Sequence, residues 1–297
     1  MKENPNVCVV GSINMDMITS IDKIPAQGET ILGGTFKTNP GGKGANQAVS
    51  AARLGANVSL IGAVGDDSFG KDLLEHFESE NINREGIKII PNTSTGVATV
   101  IVSENDNRII VSSGANAKVT PEIVSKSRER ILHSDIILLQ FEIAMETVRY
   151  IVELAYDHQI PVIINPAPYQ EIPEDILTKT TLFTPNEGEA FVMSKIPEFE
   201  FIKNKMIITK GKHGSAFFAS SGEMITIPAY PVPVKDTTGA GDTFNAALAV
   251  ELASGNTLGQ AITFANAAAA ISVGEIGAQG GMPSKKEVDD FLMKNKN

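Results

Sequence analysis

Two glycines that open a helix, with a carboxylate in its first turn, can make a site for an anion. Asp236-Thr237-Thr238-Gly239-Ala240-Gly241-Asp242-Thr243-Phe244 has this form. The glycines open backbone conformations that a side chain forbids, and a helical pattern starts directly after them. Such a turn offers unpaired N–H groups and the positive helix end to an anion. Asp242 reads either as part of that site or as a simple helix cap. Capping alone leaves the two glycines and Asp236 without a reason.

Another segment, Asn39-Pro40-Gly41-Gly42-Lys43-Gly44-Ala45-Asn46-Gln47-Ala48, crowds three glycines, a lysine and an asparagine onto a loop-to-helix junction. Backbone can come close to a small polar ligand there, and Lys43 and Asn46 can hydrogen-bond it. A glycine-rich turn without a ligand is the other reading. The segment is not a P-loop, because Gly44 follows the lysine where Ser or Thr is required. Nor is Gly239-Ala240-Gly241 a dinucleotide fingerprint, since Phe244 takes the third glycine's place. Cys8, the only cysteine, lies in the apolar run Val7–Val10 and reads as buried and inert. His76, His133 and His158 fall in helical patterns as surface or packing residues, and no Cys/His cluster suggests zinc.

The elements that must carry these segments alternate. Val7–Val10, Val58–Val64, Asp135–Gln140, Pro161–Asn165, Leu182–Thr184 and Lys205–Thr209 read as buried strands. Helical patterns lie at Ala45–Leu54, Asp72–Phe77 and Met145–Asp157. This rhythm predicts an α/β fold, a three-layer α/β/α sandwich with a mostly parallel central sheet. Met17–Phe36 and Val97–Ser113 break the rhythm, and Val97–Ser113 has the pattern of a hairpin turning at Asn105–Asn107. They predict a small antiparallel appendage built from about 13–38 and 97–113, either a lid or an ordinary edge hairpin. The last third is helical: Ala240–Ala253, Thr257–Val273 and Ser284–Met293, with Thr257 and Ser284 as N-caps. The bulk-poor run Ala265–Ala270 suits close helix packing.

The chain of 297 residues is long enough for one large domain, here residues 1–297. A net charge of −10 with no basic stripe argues against a nucleic-acid partner. It leaves room for a phosphate ligand, because amides and magnesium can supply a positive field locally. The start, Met1–Asn6, is polar and leads straight into a strand, and runs such as Ile136–Leu139 are far too short to span a membrane. The expected location is the cytoplasm.

Together with Gly11-Ser12-Ile13-Asn14-Met15-Asp16, the two glycine segments resemble the signatures of the ribokinase family of carbohydrate and purine kinases. The likeness runs from about Asn6 to Phe291. It implies transfer of the γ-phosphoryl group of ATP to the primary hydroxyl of a small sugar, D-ribose. The Asn14/Asp16 pair and the Gly-Gly-Lys-Gly-Ala-Asn-Gln form favour ribose over fructose or a nucleoside. By the same resemblance Asp242 is the catalytic base, and the amides of Gly239, Ala240, Gly241 and Asp242 form an anion hole. Asn14, Asp16, Gly42, Lys43, Asn46 and Glu142 line the sugar site. Asn186-Glu187-Gly188-Glu189 resembles the motif in which Asn186 and Glu189 position magnesium and the phosphates. Lys210, Gly211, Lys212, His213, Gly214 and Ser215 form the loop passing the nucleotide, and Asn266 falls where adenine is met. Asp236, Thr238, Ser272, Glu275, Gly277 and Gly281 match positions that hold an activating potassium ion. The family's β lid also implies a homodimer.

The chain departs from the family between Asn186 and Thr209. Only Ile196–Asn204 fills a gap where a further helix is expected. Rival readings are a kinase of the same family acting on deoxyribose, fructose or a nucleoside, and a non-catalytic sugar sensor. Asp242 and its glycines speak against the sensor, which needs no base.

Overall fold

Along β1 (Asn6–Val10) alternate side chains enter two different cores. Val7 and Val9 pack into one, Cys8 and Val10 into the other. This is the signature of a strand covered on both faces. The computed structural model describes residues 4–103, 106–219 and 221–295. Six strands form the central sheet: β1, β4 (Asn57–Gly65), β5 (Asn83–Ile90), β8 (Ile136–Gln140), β9 (Val162–Asn165) and β10 (Leu182–Phe183). Their order is β10-β9-β8-β1-β4-β5, with every pairing parallel. On one face lie α1 (Lys43–Arg53), α2 (Ser68–Ser79), α9 (Ala240–Ala253), α10 (Leu258–Ser272) and α11 (Lys285–Lys294). The other face carries α3 (Pro121–Ser125), α4 (Arg128–Leu132), α5 (Met145–Asp157), α6 (Glu174–Lys179), α7 (Glu187–Met193) and α8 (Phe199–Ile202). The three expected layers are present.

From β1 the chain builds toward β4 and β5, then returns to the other side of β1 for β8, β9 and β10. The strand order therefore reverses between β1 and β8. In parallel sheets ligands gather outside the carboxyl ends of the strands at such a reversal. Here those ends run into Gly11-Ser12 and Phe141-Glu142.

A smaller sheet, β3-β2-β6-β7, is made of β2 (Asn14–Ser20), β3 (Phe36–Gly41), β6 (Gly96–Ser103) and β7 (Asp106–Ser112). It is the appendage expected from the sequence, with one correction: its central pair β2–β6 is parallel, and only β2–β3 and β6–β7 are antiparallel. The strands also extend to Gly41, beyond the expected limit, and residues 21–35 form an irregular excursion. Of the expected turn at Asn105–Asn107, Asn105 lies outside the described residues, whereas Asp106 and Asn107 already belong to β7.

The expected strand Lys205–Thr209 is shorter and lies elsewhere. β11 (Ile207–Thr209) heads an antiparallel sheet with β12 (Ser215–Phe218) and β13 (Met224–Ile227), joined to the edge of the central sheet through bridges Phe183–Met206 and Asn186–Thr209. β5 was not legible, since as an edge strand it keeps most side chains at least partly exposed and shows no apolar run. Thr257 and Ser284 cap α10 and α11, each within a capping box. Ala265, Ala267 and Ala268 are fully buried where α10 packs along α9.

Candidate active site

The helix that carries Asp242, α9, starts at a residue that has to be glycine. Gly239 caps α9 in the left-handed region at φ 80°, and a Cβ there would sit 2.4 Å from Ala278 O. Gly241 has no such constraint: a Cβ on it would meet nothing within 4 Å, and the residue borders a cavity instead. Thr243 N–H is the first to bond back along the helix, to Gly239 O at 2.8 Å, and Ala240 N–H reaches Thr237 O at 3.3 Å. The amides of Gly241 and Asp242 precede that ladder and stand at the positive helix end.

Asp242 is nearly buried. Burial pushes its carboxyl above the ordinary range. Lys43 and the donors Asn46 and Gln47 pull it back, and Glu142 adds to the rise. Asn46 Nδ2 donates to Asp242 Oδ2 at 3.0 Å and Gln47 Nε2 to Oδ1 at 3.1 Å. Both donors sit on the first turn of α1. That turn is pressed onto the end of β1, where a Cβ on Gly44 would lie 2.6 Å from Gly11 C. Gly42, at φ 88°, makes the corner between β3 and α1.

Two separate cavities are lined by expected residues. One, of about 190 Å³, is lined by Lys43, Asn186, Glu189, Gly239, Gly241 and Asp242 among others. The other, of about 380 Å³, is walled by Ser12, Asn14, Asn116 and Glu142, with Val111 and Ser113 contributed from β7 and the residues after it. Lys43 joins them. Its amide donates to Glu142 Oε2 at 3.2 Å. Burial works to lower the pKa of its ammonium, but the fields of Asp242, Glu142 and Glu189 outweigh that and leave it raised. Asp16 is pushed up to about 7, first by burial, then by Glu142 and Asp242. Its carboxylate fills the place where a Cβ on Gly41 would go. A larger cavity of about 670 Å³ lies at the opposite, amino-terminal end of β1 and β4 and contains none of the expected residues.

Other expected residues are committed to the fold. Asn46 Oδ1 accepts from Gln279 Nε2 at 2.9 Å, so both amide atoms of Asn46 bond protein. Asn186 and Glu189 form a capping box on α7, Asn186 Oδ1 taking Glu189 N–H at 2.9 Å and Glu189 Oε2 taking Asn186 N–H at 2.8 Å. Burial raises the Glu189 carboxyl, offset by Asn186 N–H and Lys43. Asn266 is buried, accepting from Ser215 Oγ and donating to Ile227 O and Pro228 O. In the Lys210–Ser215 loop, Gly211, Lys212 and His213 are exposed, and Gly214 turns at φ 86° where a Cβ would strike Ile227 O.

Of the residues expected around potassium, Asp236 takes three hydrogen bonds, from Thr238 N–H, Thr238 Oγ and Gly277 N–H. Burial opposes its charge, but these bonds win and hold its pKa low. Gly281 packs onto Ser272 O, and Gly277 turns at φ 89°. The Glu275 side chain instead pairs with Lys235 at 3.0 Å on the surface.

Sequence reasoning gave no role to Asn116, Gln140, Thr184, Asn245 or Gln279. Asn116 Oδ1 accepts from Ile13 N–H, so its Nδ2 must donate to Ile13 O and to Asn14 Oδ1, which turns the Asn14 Nδ2 donor away from Asn116. Asn245 spans Thr184 and Gly241 O below Gly241. One signal was available: Gln140 is the lone polar residue ending the apolar strand Ile136–Gln140.

The chain belongs to the pfkB family of carbohydrate kinases, whose model matches residues 4–285. Among its relatives, the ribokinase of Bacillus subtilis strain 168 is 44% identical over 97% of this chain and 99% of its own length. Two solved structures superpose closely. A ribokinase from Thermotoga maritima is 35% identical, with a TM-score of 0.87, covering 97% of this chain and 99% of that one. Arabidopsis thaliana ribokinase complexed with ribose and ATP is 32% identical, with a TM-score of 0.89 and the same coverage.

Proposed function

We propose that this chain is an ATP-dependent kinase of D-ribose, giving D-ribose 5-phosphate, within a single kinase domain whose smaller sheet acts as a lid. The observation that carries the reading is the buried Asp242. It sits at the amide-lined start of α9 and lines a cavity with Lys43 and Glu189, and the Lys43 amide bonds Glu142, which walls a second cavity with Asn14. Ribokinases identical to the chain at the 44% and 32% levels, the latter holding ribose and ATP, fit the same assignment.

Phosphoryl transfer asks for alignment and charge stabilisation more than covalent help. Asp16, Asn14 and Glu142 hold the sugar hydroxyls and aim the primary one at the γ-phosphorus. Asp242 accepts that hydroxyl's proton. The amides of Gly241 and Asp242, with Gly239 and Ala240 shaping the turn, hold the charge that grows on the transferring oxygens. Lys43 adds a positive charge between sugar and phosphates. The Lys210–Ser215 loop and the neighbourhood of Asn266 border the nucleotide. Magnesium, when bound, neutralises the phosphate charge, and Asn186 with Glu189 would face it through water. Potassium would be held at the turn shared by Asp236, Thr238, Ser272, Glu275, Gly277 and Gly281. The donors would be the Asp236 carboxylate and main-chain carbonyls of the turn, oxygen ligands that suit a hard cation. Among the described residues no three His, Cys, Asp or Glu gather as a metal site.

The smaller sheet carries exposed Phe36, Ile109 and Ile110. Apolar surface of this kind supports pairing with another copy of the chain. No described helix is long and apolar enough to cross a membrane, and a cytoplasmic location is part of the proposal. The deciding experiment is magnesium-dependent ATP turnover with ribose, 2-deoxyribose, fructose and a nucleoside. Ribose should give the highest kcat/KM. A clear preference for 2-deoxyribose would reassign the substrate, and no turnover with any sugar would favour the sensor.

A further inference from the structure

The side chains that grip Asp242 are themselves gripped, and each contact fixes the direction of the next. Ionised Asp242 can only accept hydrogen bonds. Gln47 must therefore turn its NH₂ toward Asp242 Oδ1, leaving its oxygen toward Gln140, whose Nε2 donates to it at 2.6 Å. Gln140 Oε1 is then left buried with no protein donor among the described residues, packed against Gly11, where a Cβ would fall 2.0 Å away. Flipping Gln140 would set oxygen against oxygen at Gln47. Flipping both would set an amide oxygen against the carboxylate. A buried acceptor without a donor is costly. It is the far end of a donor chain whose direction the Asp242 charge dictates.

Another arm approaches from the other side. Asn46 Nδ2 donates to Asp242 Oδ2, Gln279 Nε2 to Asn46 Oδ1, and His76 Nε2 lies 2.8 Å from Gln279 Oε1. Here too each amide has one permitted orientation, and His76 must carry its proton on Nε2. Arg53 secures the Gln279 main chain through a 2.6 Å bond to its carbonyl. One donor thus reaches each carboxylate oxygen, leaving lone pairs on both for the substrate hydroxyl.

We infer that Gln47, Gln140 and Gln279 are positioning residues for the phosphoryl-transfer step, two amide arms that hold the Asp242 carboxylate ionised and aimed. The inference rests on Asp242 being the base. The charged groups facing that carboxylate are Lys43 from α1, Glu142 from the loop after β8, and Asp16 from β2. Removing a neutral donor leaves all three in place.

The test measures single-turnover phosphoryl transfer at saturating ribose and ATP, from pH 5.5 to 8.5, in Gln47→Leu, Gln140→Leu, Gln279→Leu and Asp242→Asn. Saturating ribose keeps Asp16 engaged, so the acid limb reports Asp242. Loss of an arm should slow the step by roughly 10- to 100-fold, the cost of a misplaced group. It should also move the acid limb to higher pH, with ATP KM little changed. Gln140 and Gln279 touch neither substrate nor base, so a merely structural role would leave the limb where it is. Gln140→Leu and Gln279→Leu carry the test if Gln47→Leu does not fold. Rates within twofold of the parent and unmoved limbs in those two, beside an inactive Asp242→Asn, would overturn the arms alone. An active Asp242→Asn would overturn the base and the arms together.

Discussion

The proposed sugar-and-base half of the site and the proposed nucleotide half are built to different standards. Around Asp242 the polar side chains are buried and interlocked: Asn46, Gln47 and Gln140 are each at most 6% exposed. Along the nucleotide loop Gly211, Lys212 and His213 stand in solvent, and Asn186 with Glu189 are occupied in capping their own helix. Chemistry that depends on the direction of one proton needs an environment fixed in advance. A polyphosphate that brings its own charge and counter-ions can be received by amides and an open rim. Substitutions should therefore be severe and specific in the sugar-and-base half and graded in the nucleotide half.

The largest expected break is Asp242→Asn. It keeps the shape but cannot take the proton, and kcat should fall by about 10²- to 10⁴-fold with ribose affinity largely kept. Steady-state kinetics with a ribose-binding titration check this, and near-parental turnover would remove Asp242 from its role.

Next comes Asp16. Each sugar hydroxyl that loses a charged partner should cost roughly 10- to 150-fold. Asp16→Ala should thus raise the KM for ribose far more than that for ATP, and 2-deoxyribose should be the poorer substrate of the parent. The same carboxyl sets a pH dependence. Free, it titrates at about 7, and sugar hydroxyls bond its ionised form. Ribose binding must therefore weaken as pH falls through 7, by about tenfold between pH 8 and pH 6 for one linked proton. Stability runs the other way. A carboxyl whose pKa is raised by folding is increasingly penalised as pH rises from its unfolded value through 7. Asp16→Asn should accordingly raise the melting temperature of the free protein at pH 8, with the gain shrinking toward pH 4. Calorimetry across that range follows both effects, and a flat ribose affinity would show that Asp16 does not hold the sugar.

A pair of glycines sharpens the comparison within a single turn. Gly239→Ala meets both a left-handed φ and the Ala278 carbonyl, and should destabilise the protein by about 1–3 kcal/mol while lowering kcat. Gly241→Ala meets nothing in the protein and gains helix propensity, so stability should hold or rise by up to about 1 kcal/mol. Its methyl would border the cavity proposed for the phosphates, and turnover should fall all the same. Thermal melts beside kinetics separate the two, and equal losses of stability would refute the distinction.

The smallest expected effect is ionic. Replacing potassium by sodium or a bulky organic cation at constant ionic strength should lower kcat several-fold with little change in ATP affinity, because the turn of Asp236 and Gly277 braces Gly239 without touching substrate. Activity indifferent to the salt would leave Asp236 as a turn residue only.

What was legible in the sequence was local. α9 falls on its expected bounds at Ala240–Ala253, and Thr257 and Ser284 cap their helices as their types suggest. Both glycine segments lie at the carboxyl ends of the strands, next to one another. The rest depended on long-range pairing. The β2–β6 contact joins segments some 80 residues apart, and nothing in either run fixes whether they lie parallel. The arms on Asp242 draw residues 47, 140 and 279 together, and a glutamine read alone says nothing of what it will hold. Gly241 illustrates the opposite error. Its type suggested an unusual backbone, whereas its surroundings supply only open space.

The corner at Gly42 has a mechanical consequence. On one side of it, β3 is stitched to β2, which bears Asn14 and Asp16; on the other, α1 bears Asn46 and Gln47 against the base. A single glycine is thus the shared corner of the strand pair proposed to meet the sugar and the helix whose Asn46 and Gln47 bond Asp242. A rigid strand and a rigid helix joined by one residue act as a bell crank: torque put in at one arm comes out at the other. If the sheet captures a sugar as proposed, the pull would reach Asp242 through this covalent corner, with no messenger needed between them.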